Sequence, residues 1–340
     1  MESNIVKRNS SNDSSVFVQG NFHELLMTSL LGTILIIMCV FGAAGNIYTL
    51  YITSFSIKSG GSLYVYIVNL ALADLLYLST IPFVVFTYFA RDWLFGEAGC
   101  RILLSLDLLT MHASIFILTV MSLERYKAVV RPLRSRQSSN YRKITSLVLW
   151  ILSFILTLPM MLMIHLRESS ATKKRICFPT WKLEAFKIYL TILFTTSILA
   201  PGIIIGYLYI RLVWAYLKSE RKVLPNKNKN LKQKVVYMVF CIVLAYWACF
   251  LPFWVWQLVK LYSHAFLKLA PPIQMYVNFF VTCLTYSNSC INPFLYLLLT
   301  KNYKEYLLNK SRSSVSNDRS LFKNWRVTSK GEESFAKSNF

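Results

Sequence analysis

Long apolar stretches alternate with short polar ones along the whole chain. Seven stretches stand out, at 27–53, 63–90, 98–130, 142–165, 186–217, 233–260 and 272–299. Each exceeds the ~20 residues that a helix needs to cross ~30 Å of hydrocarbon. Each must be helical, because a backbone group left unpaired in lipid costs several kcal/mol. The pattern predicts an all-α membrane protein, a seven-transmembrane helix bundle over 27–300, with lipid as the partner of its outer face. Residues 1–26 are polar and read as an N-terminal tail, with no cleavable signal peptide apparent ahead of the first run. Residues 301–310, beginning Lys-Asn-Tyr-Lys-Glu-Tyr-Leu-Leu, predict a short amphipathic helix on the inner leaflet. The Ser-rich segment 311–340 predicts a disordered tail, without a cysteine for palmitoylation.

Charge fixes the orientation. The formal net charge is +22, from 37 Lys and Arg against 15 Asp and Glu. Such a basic chain raises the question of nucleic acid, but here the basic residues lie in alternate loops and in the tail. The loop at 131–143 holds Arg131, Arg134, Arg136, Arg142 and Lys143 with no acid, and the loop at 218–234 is as basic. That is the positive-inside pattern of a polytopic membrane protein, and it argues against nucleic-acid binding. The N-terminus is then outside the cell and the C-terminus cytoplasmic. The sequons at Asn9 and Asn12 fall on the outer side, where glycosylation is expected. Of seven cysteines, five (Cys39, Cys241, Cys249, Cys283 and Cys290) sit within apolar runs, whereas Cys100 and Cys177 flank them and form the plausible disulfide pair.

Ionisable residues inside a spanning helix cost roughly 2.5–3.5 kcal/mol or more and are functional candidates by default. Asp74, Asp107, Glu124 and Arg125 are of this kind. Asp107 lies about two turns, ~10 Å, into the third run from its outer end, on the same face as Arg125 about five turns further on. No Lys or Arg lies at that depth in another run, so Asp107 is expected to meet a cationic ligand group. Its alternative is an internal ion pair. Asp74 lies at mid-membrane, where Ser114, Asn288, Ser289 and Asn292 could approach it. Such an oxygen-rich cluster suits a sodium ion, the only cofactor expected, with an ion-free hydrogen-bonded network as the alternative. Pro82, Pro159, Pro201, Pro252 and Pro293 each remove a helix hydrogen bond inside a run and permit a kink.

One motif per helix now appears in order: Asn46 after Gly45, Leu72-Ala73-Asp74, Cys100, Glu124-Arg125-Tyr126, Trp150, Pro201, Phe250-Leu251-Pro252 and Asn292-Pro293-Phe294-Leu295-Tyr296. Over residues 27–310 this resembles the rhodopsin-like family of G-protein-coupled receptors. The stretches at 64–77, 108–116, 247–254 and 283–290 look like the branch of that family that takes urotensin-type cyclic peptides, with somatostatin and opioid receptors as near relatives.

The resemblance implies a short disulfide-cyclised peptide whose Lys meets Asp107, in a pocket lined by Met111, Phe253, Trp254, Gln257 and Tyr286. It implies a Cys100–Cys177 bond that fixes the loop at 165–185 across the mouth, where Arg167, Lys173, Lys174 and Arg175 could attract an acidic peptide tail. Inside, Arg125 would be held by Glu124 at rest and released toward a heterotrimeric G protein, with Tyr209 and Tyr296 moving in beside it. The implied G protein is of the Gq type, with phospholipase C and calcium downstream. Arrestin is a candidate partner through phosphorylation of Ser311, Ser313, Ser314, Ser316 and Ser320. Two departures matter. Phe250 stands where most relatives have Trp, so a switch there lacks an indole N–H. The inner end of the sixth run offers Lys232 and Lys234 and no acid for Arg125, so a weak inactive-state lock and basal activity are expected. An amine receptor is the alternative within the class. A transporter or channel is the alternative outside it, disfavoured by the lack of internal repeats. No nucleophile or metal spacing points to an enzyme, and the seventh run has no lysine for retinal.

Overall fold

The computed structural model describes residues 2–57, 64–130, 138–168, 173–220, 227–263, 270, 273–274 and 276–294, without the side chains of 2–24, 55–57, 129, 216–220, 227–236 and 238. The amphipathic helix at 301–310, the tail at 311–340, Tyr296 and the side chains of Asn9, Asn12, Lys232 and Lys234 therefore lie outside the described residues.

The helices are α1 (Glu2–Ile57), α2 (Tyr64–Leu78), α3 (Ile81–Ala90), α4 (Gly96–Val130), α5 (Ser139–Met163), α6 (Leu183–Phe194), α7 (Ala200–Glu220) and α8 (Lys227–Tyr262). A further helix, α9, covers 276–294. Six stretches among the described residues are long and apolar enough to cross a membrane: Leu25–Ser54, Tyr64–Ala90, Gly96–Ala128, Ser139–Met163, Leu183–Ala215 and Val239–Tyr262. With α9 in the seventh apolar run, they follow the order read from hydrophobicity. α1 runs back to Glu2 through the segment expected as a tail, and residues 2–24 contain no proline to stop it.

Lipid replaces water around this bundle, so large apolar side chains face outward. Phe41, Ile203, Ile210 and Trp214 are among them. The interior is where selection by packing operates. α4 is its axis, in contact with α2, α5, α7 and α8. Its Met111, Ile115, Leu118 and Met121 join Tyr66, Leu193, Val243, Phe250 and Trp254 in the larger buried cluster. A smaller cluster, with Leu35, Tyr77, Ile81 and Tyr286, forms where α1, the second span and α9 meet.

The prolines act differently from one another. Pro82 breaks the second span outright: α2 stops at Leu78 and α3 begins at Ile81 with proline in its first turn. Pro201 is preceded by a π turn at Thr195–Leu199, in which the N–H of Ala200 reaches back to the carbonyl of Thr195. The turn takes up the hydrogen bond and the space that proline denies to a regular helix. Pro159 and Pro252 stay inside the continuous helices α5 and α8.

The loop at 165–185, expected only to cross the mouth, contains an antiparallel hairpin of β1 (Ile164–Glu168) and β2 (Arg175–Pro179), with Leu166 opposite Cys177. Cys177 is bonded to Cys100 at the start of α4, with Cα atoms 5.7 Å apart. The pairing read from the sequence is therefore present.

Candidate functional site

Asp107 lies two turns below the disulfide on α4, and its Oδ1 is buried without a hydrogen-bond partner. The polar groups around it are hydroxyls. Thr80, at the break in the second span, faces its carboxylate, and Tyr77 and Tyr286 are close by. The Thr80 hydroxyl meets the Tyr286 hydroxyl at 2.8 Å, and Tyr286 stacks on Tyr77 with ring centroids 4.4 Å apart. No basic side chain forms an ion pair with Asp107 among the described residues. An internal salt bridge, the alternative left open by the sequence, is thus not found among them.

One turn further in, Met111 accepts a hydrogen bond on its sulfur from the Trp254 indole N–H at 3.3 Å. Trp254 is only 1% exposed and packs against Phe253 and Phe194. The expected pocket residues are therefore of two kinds. Met111, Trp254 and Tyr286 are buried and already in contact with neighbours, forming a floor and wall, while Phe253 and Gln257 keep part of their surface. A separate cavity of about 300 Å³ opens among the outer ends of α1, α3 and the seventh span, lined by Leu31, Tyr88, Asn278 and Phe279 among others. It does not include Asp107.

The hairpin is tied to the mouth a second time. Asp92, just after α3, accepts from the Arg175 backbone N–H at 2.7 Å and from its guanidinium at 2.8 Å. Arg175 holds the Asp92 carboxyl below the usual carboxylate range. Of the four basic loop residues, Arg175 is thereby engaged and Arg167 lies over the Phe178 ring, while Lys173 and Lys174 are exposed. Neither Asp92 nor its partnership could be singled out from the sequence, because an acid between two spans is unremarkable there.

At mid-membrane Asp74 is 1% exposed, and its two oxygens accept from Ser289 Oγ at 2.8 Å and Asn292 Nδ2 at 2.9 Å. Asn46 binds the network from α1 by donating to the carbonyls of Gly42 and Ser289. Asn288 and Ser114 are buried too, and the side-chain oxygens of Asn46, Asn288 and Asn292 have no hydrogen-bond donor. A buried carboxylate with no cationic partner among the described residues, beside spare amide oxygens, is a donor set that fits a small hard cation.

At the inner end, the arrangement departs from expectation. Glu124 does not ion-pair with Arg125 among the described residues. Its Oε1 accepts from the Tyr66 hydroxyl at 2.9 Å and its Oε2 lies 3.7 Å from Arg142 Nε. The reason is local: successive residues on a helix point about 100° apart, and Tyr66 and Arg142 stand on the side that Glu124 faces. The Nε of Arg125 is buried and without a partner. Tyr126 is half-buried beside it, and Tyr209 packs its ring on Phe240 at 4.9 Å. Phe250 is buried against Tyr246, between Pro252 on its own helix and the core, and Pro293 lies close under Gly45 of α1.

Comparison with known proteins agrees with this layout. Residues 45–296 match the family described as 7 transmembrane receptor (rhodopsin family). The chain is 51% identical to the urotensin-2 receptor of Bos taurus, over 84% of this chain and 74% of that one. It is 50% identical to the urotensin-2 receptor of Homo sapiens, over 87% and 75%. The somatostatin receptor type 2 of Sus scrofa is 30% identical, over 91% and 83%. These relatives are receptors and not enzymes. With seven apolar runs, a buried acid below the mouth and the Glu124-Arg125-Tyr126 sequence at the inner end of α4, the chain belongs to the rhodopsin family of seven-transmembrane receptors.

Proposed function

We propose that the chain is a cell-surface receptor that takes a cyclic peptide of the urotensin-II type at Asp107 and signals through a heterotrimeric G protein of the Gq family. The observation that carries the peptide site is the buried, unpartnered oxygen of Asp107 above a floor made by Met111 and Trp254. A lysine side chain delivers a cation on an apolar stem, which suits an acid at the bottom of an aromatic pocket. The ion pair formed there replaces water on both groups and is strengthened by the low local dielectric. The names of the relatives at about 50% identity support the ligand class.

The remaining parts take their roles from position. The hairpin, anchored by Cys177 and Arg175, forms the outer rim. The N-terminus lies outside and the basic loops lie in the cytoplasm, following the positive-inside rule. Arg125, with Tyr126, Tyr209 and Tyr296, presents the inner face to the G protein, and arrestin engages the Ser-rich tail after phosphorylation. Asp74, Ser114, Asn288 and Asn292 would hold a sodium ion, whose charge compensates the buried carboxylate.

The test is intracellular calcium in cells expressing this chain, exposed to a urotensin-type cyclic peptide, with surface expression measured alongside. Asp107→Asn keeps the shape and removes the charge. Breaking one side of a desolvated ion pair costs roughly 2–5 kcal/mol, a loss of about thirtyfold or more in potency. A well-expressed parent that ignores the peptide, or an Asp107→Asn variant with unchanged potency, would sink the reading.

A further inference from the structure

Three helices meet at the Glu124 carboxylate. Tyr66 of α2 donates its hydroxyl to it, and Arg142, in the first turns of α5, stands 3.7 Å from its other oxygen. The same two helices are joined independently further out, where the Trp150 indole N–H donates to Asn69 Oδ1 at 3.0 Å. Tyr66 is fully buried and Arg142 is 9% exposed. The positive-inside bias accounts for a basic residue at this level but not for the burial of its side chain. A guanidinium is kept in such a place only against compensation by an acid and further hydrogen bonds. Glu124 is the acid that supplies it.

Glu124 is also the residue next to Arg125, so two cations compete for one carboxylate. We propose that Arg142 is a positioning residue for the G-protein switch: with Tyr66 it holds Glu124 on the α2–α5 side, away from Arg125, and so sets the resting activity. The inference rests on the reading of Arg125 as the group presented to the G protein. Without Arg142, Glu124 keeps the neutral Tyr66 hydroxyl among the described residues and has a full cation one residue away. Charge-to-charge attraction in a poorly solvated site exceeds that to a neutral hydroxyl. The carboxylate turns to Arg125, the inactive lock forms, and ligand-free output falls. Merely loosening the α2–α5 contact would instead reduce expression and leave the output per receptor unchanged.

The experiment uses purified full-length receptor and reads guanine-nucleotide exchange on added Gα per mole of receptor, without ligand and with a urotensin-type cyclic peptide. Arg142→Gln lowers ligand-free exchange and moves the peptide curve roughly fivefold or more to higher concentration, the size of an ordinary coupling between sites. Arg142→Lys, which keeps the charge, restores most of both. In a Glu124→Gln background, where no carboxylate remains to be held, Arg142→Gln changes neither. An equal effect in both backgrounds, or none with Glu124 intact, overturns the proposal. Thermal unfolding of the parent, Arg142→Gln, Glu124→Gln and the double variant reads the Glu124–Arg142 coupling without any G protein, and additive midpoints overturn the contact itself. A parent that is inert to every Gα and to the peptide overturns this inference together with the functional reading beneath it. A responsive parent with an unaltered Arg142→Gln variant overturns this inference alone.

Discussion

Trp254 of α8 and Met111 of α4 are joined by an indole N–H to sulfur contact of 3.3 Å, four residues beyond Phe250. Phe250 itself carries no donor, so the directional link between the third and sixth spans lies one turn nearer the outside than the Phe250-Leu251-Pro252 motif suggests. Trp254→Phe keeps an aromatic ring and removes the N–H. A hydrogen bond is worth about 0.5–1.5 kcal/mol net. Peptide affinity is expected to change by less than tenfold while the maximal calcium response drops, and Met111→Leu should reproduce the drop. An affinity loss with full maximal response would instead make Trp254 a plain contact residue.

Asp74 predicts a response to salt. If sodium sits with Asp74, Asn288 and Asn292, replacing sodium by a large organic cation at fixed ionic strength should raise agonist affinity. Asp74→Asn should remove that dependence, because the charge that recruits the ion is gone. Competition binding at several sodium concentrations checks it. Equal sodium sensitivity in parent and variant would leave the cluster as a hydrogen-bonded network.

The Asp92–Arg175 pair makes a pH prediction at the mouth. The folded carboxyl sits below its unfolded value of about 3.9, so its contribution is complete above that value and fades only as pH falls through the lower, folded one. Peptide off-rates should therefore show no change from this pair between about pH 5 and 8. Asp92→Asn should speed dissociation by a few-fold at neutral pH, with hydrogen exchange in β2 rising in parallel. A steep change in exchange of β2 between those pH limits would implicate another group.

Ligand-free signalling is a separate expectation. Glu124 is engaged by Tyr66 and Arg142, and the sequence at the inner end of the sixth span offers Lys232 and Lys234 and no acid. Inositol phosphate output should exceed that of empty cells and rise with receptor number. Output equal to that of empty cells at high surface expression would mean that Arg125 is restrained by some other group.

What the sequence revealed follows from how conspicuous each residue is in its surroundings. Asp74 and Asp107 are legible because a carboxylate within an apolar run has no ordinary explanation. The spans are legible for the same reason, since length and hydrophobicity decide them. Thr80, Tyr66 and Tyr77 are not, because hydroxyls are tolerated in spanning helices and carry no signature of position. Arg142 was hidden differently, at the edge of a run where a basic residue is expected anyway. The β1–β2 hairpin consists of two five-residue strands between spans, too short for alternation to speak. Which neighbour Glu124 chooses is a matter of helix rotation, and a helix apolar almost all round does not advertise its rotation.

The π turn at Thr195–Leu199 has a consequence for how the fifth span must be numbered against its neighbours. It holds one residue more than a regular turn, and one residue is worth about 100° of azimuth. The halves of this span are thereby set in different phase. Above the turn, Tyr189, Leu190 and Leu193 point into the bundle, and below it Ile205, Leu208 and Leu212 do so. Thr196, within the turn, bonds His112 of α4 at 3.1 Å, which pins the offset in place. Deleting one residue here would leave the ligand end aligned and swing Tyr209 away from the side where Arg125 waits. The mouth and the inner face can thus be tuned as separate rotors on a single strand of chain.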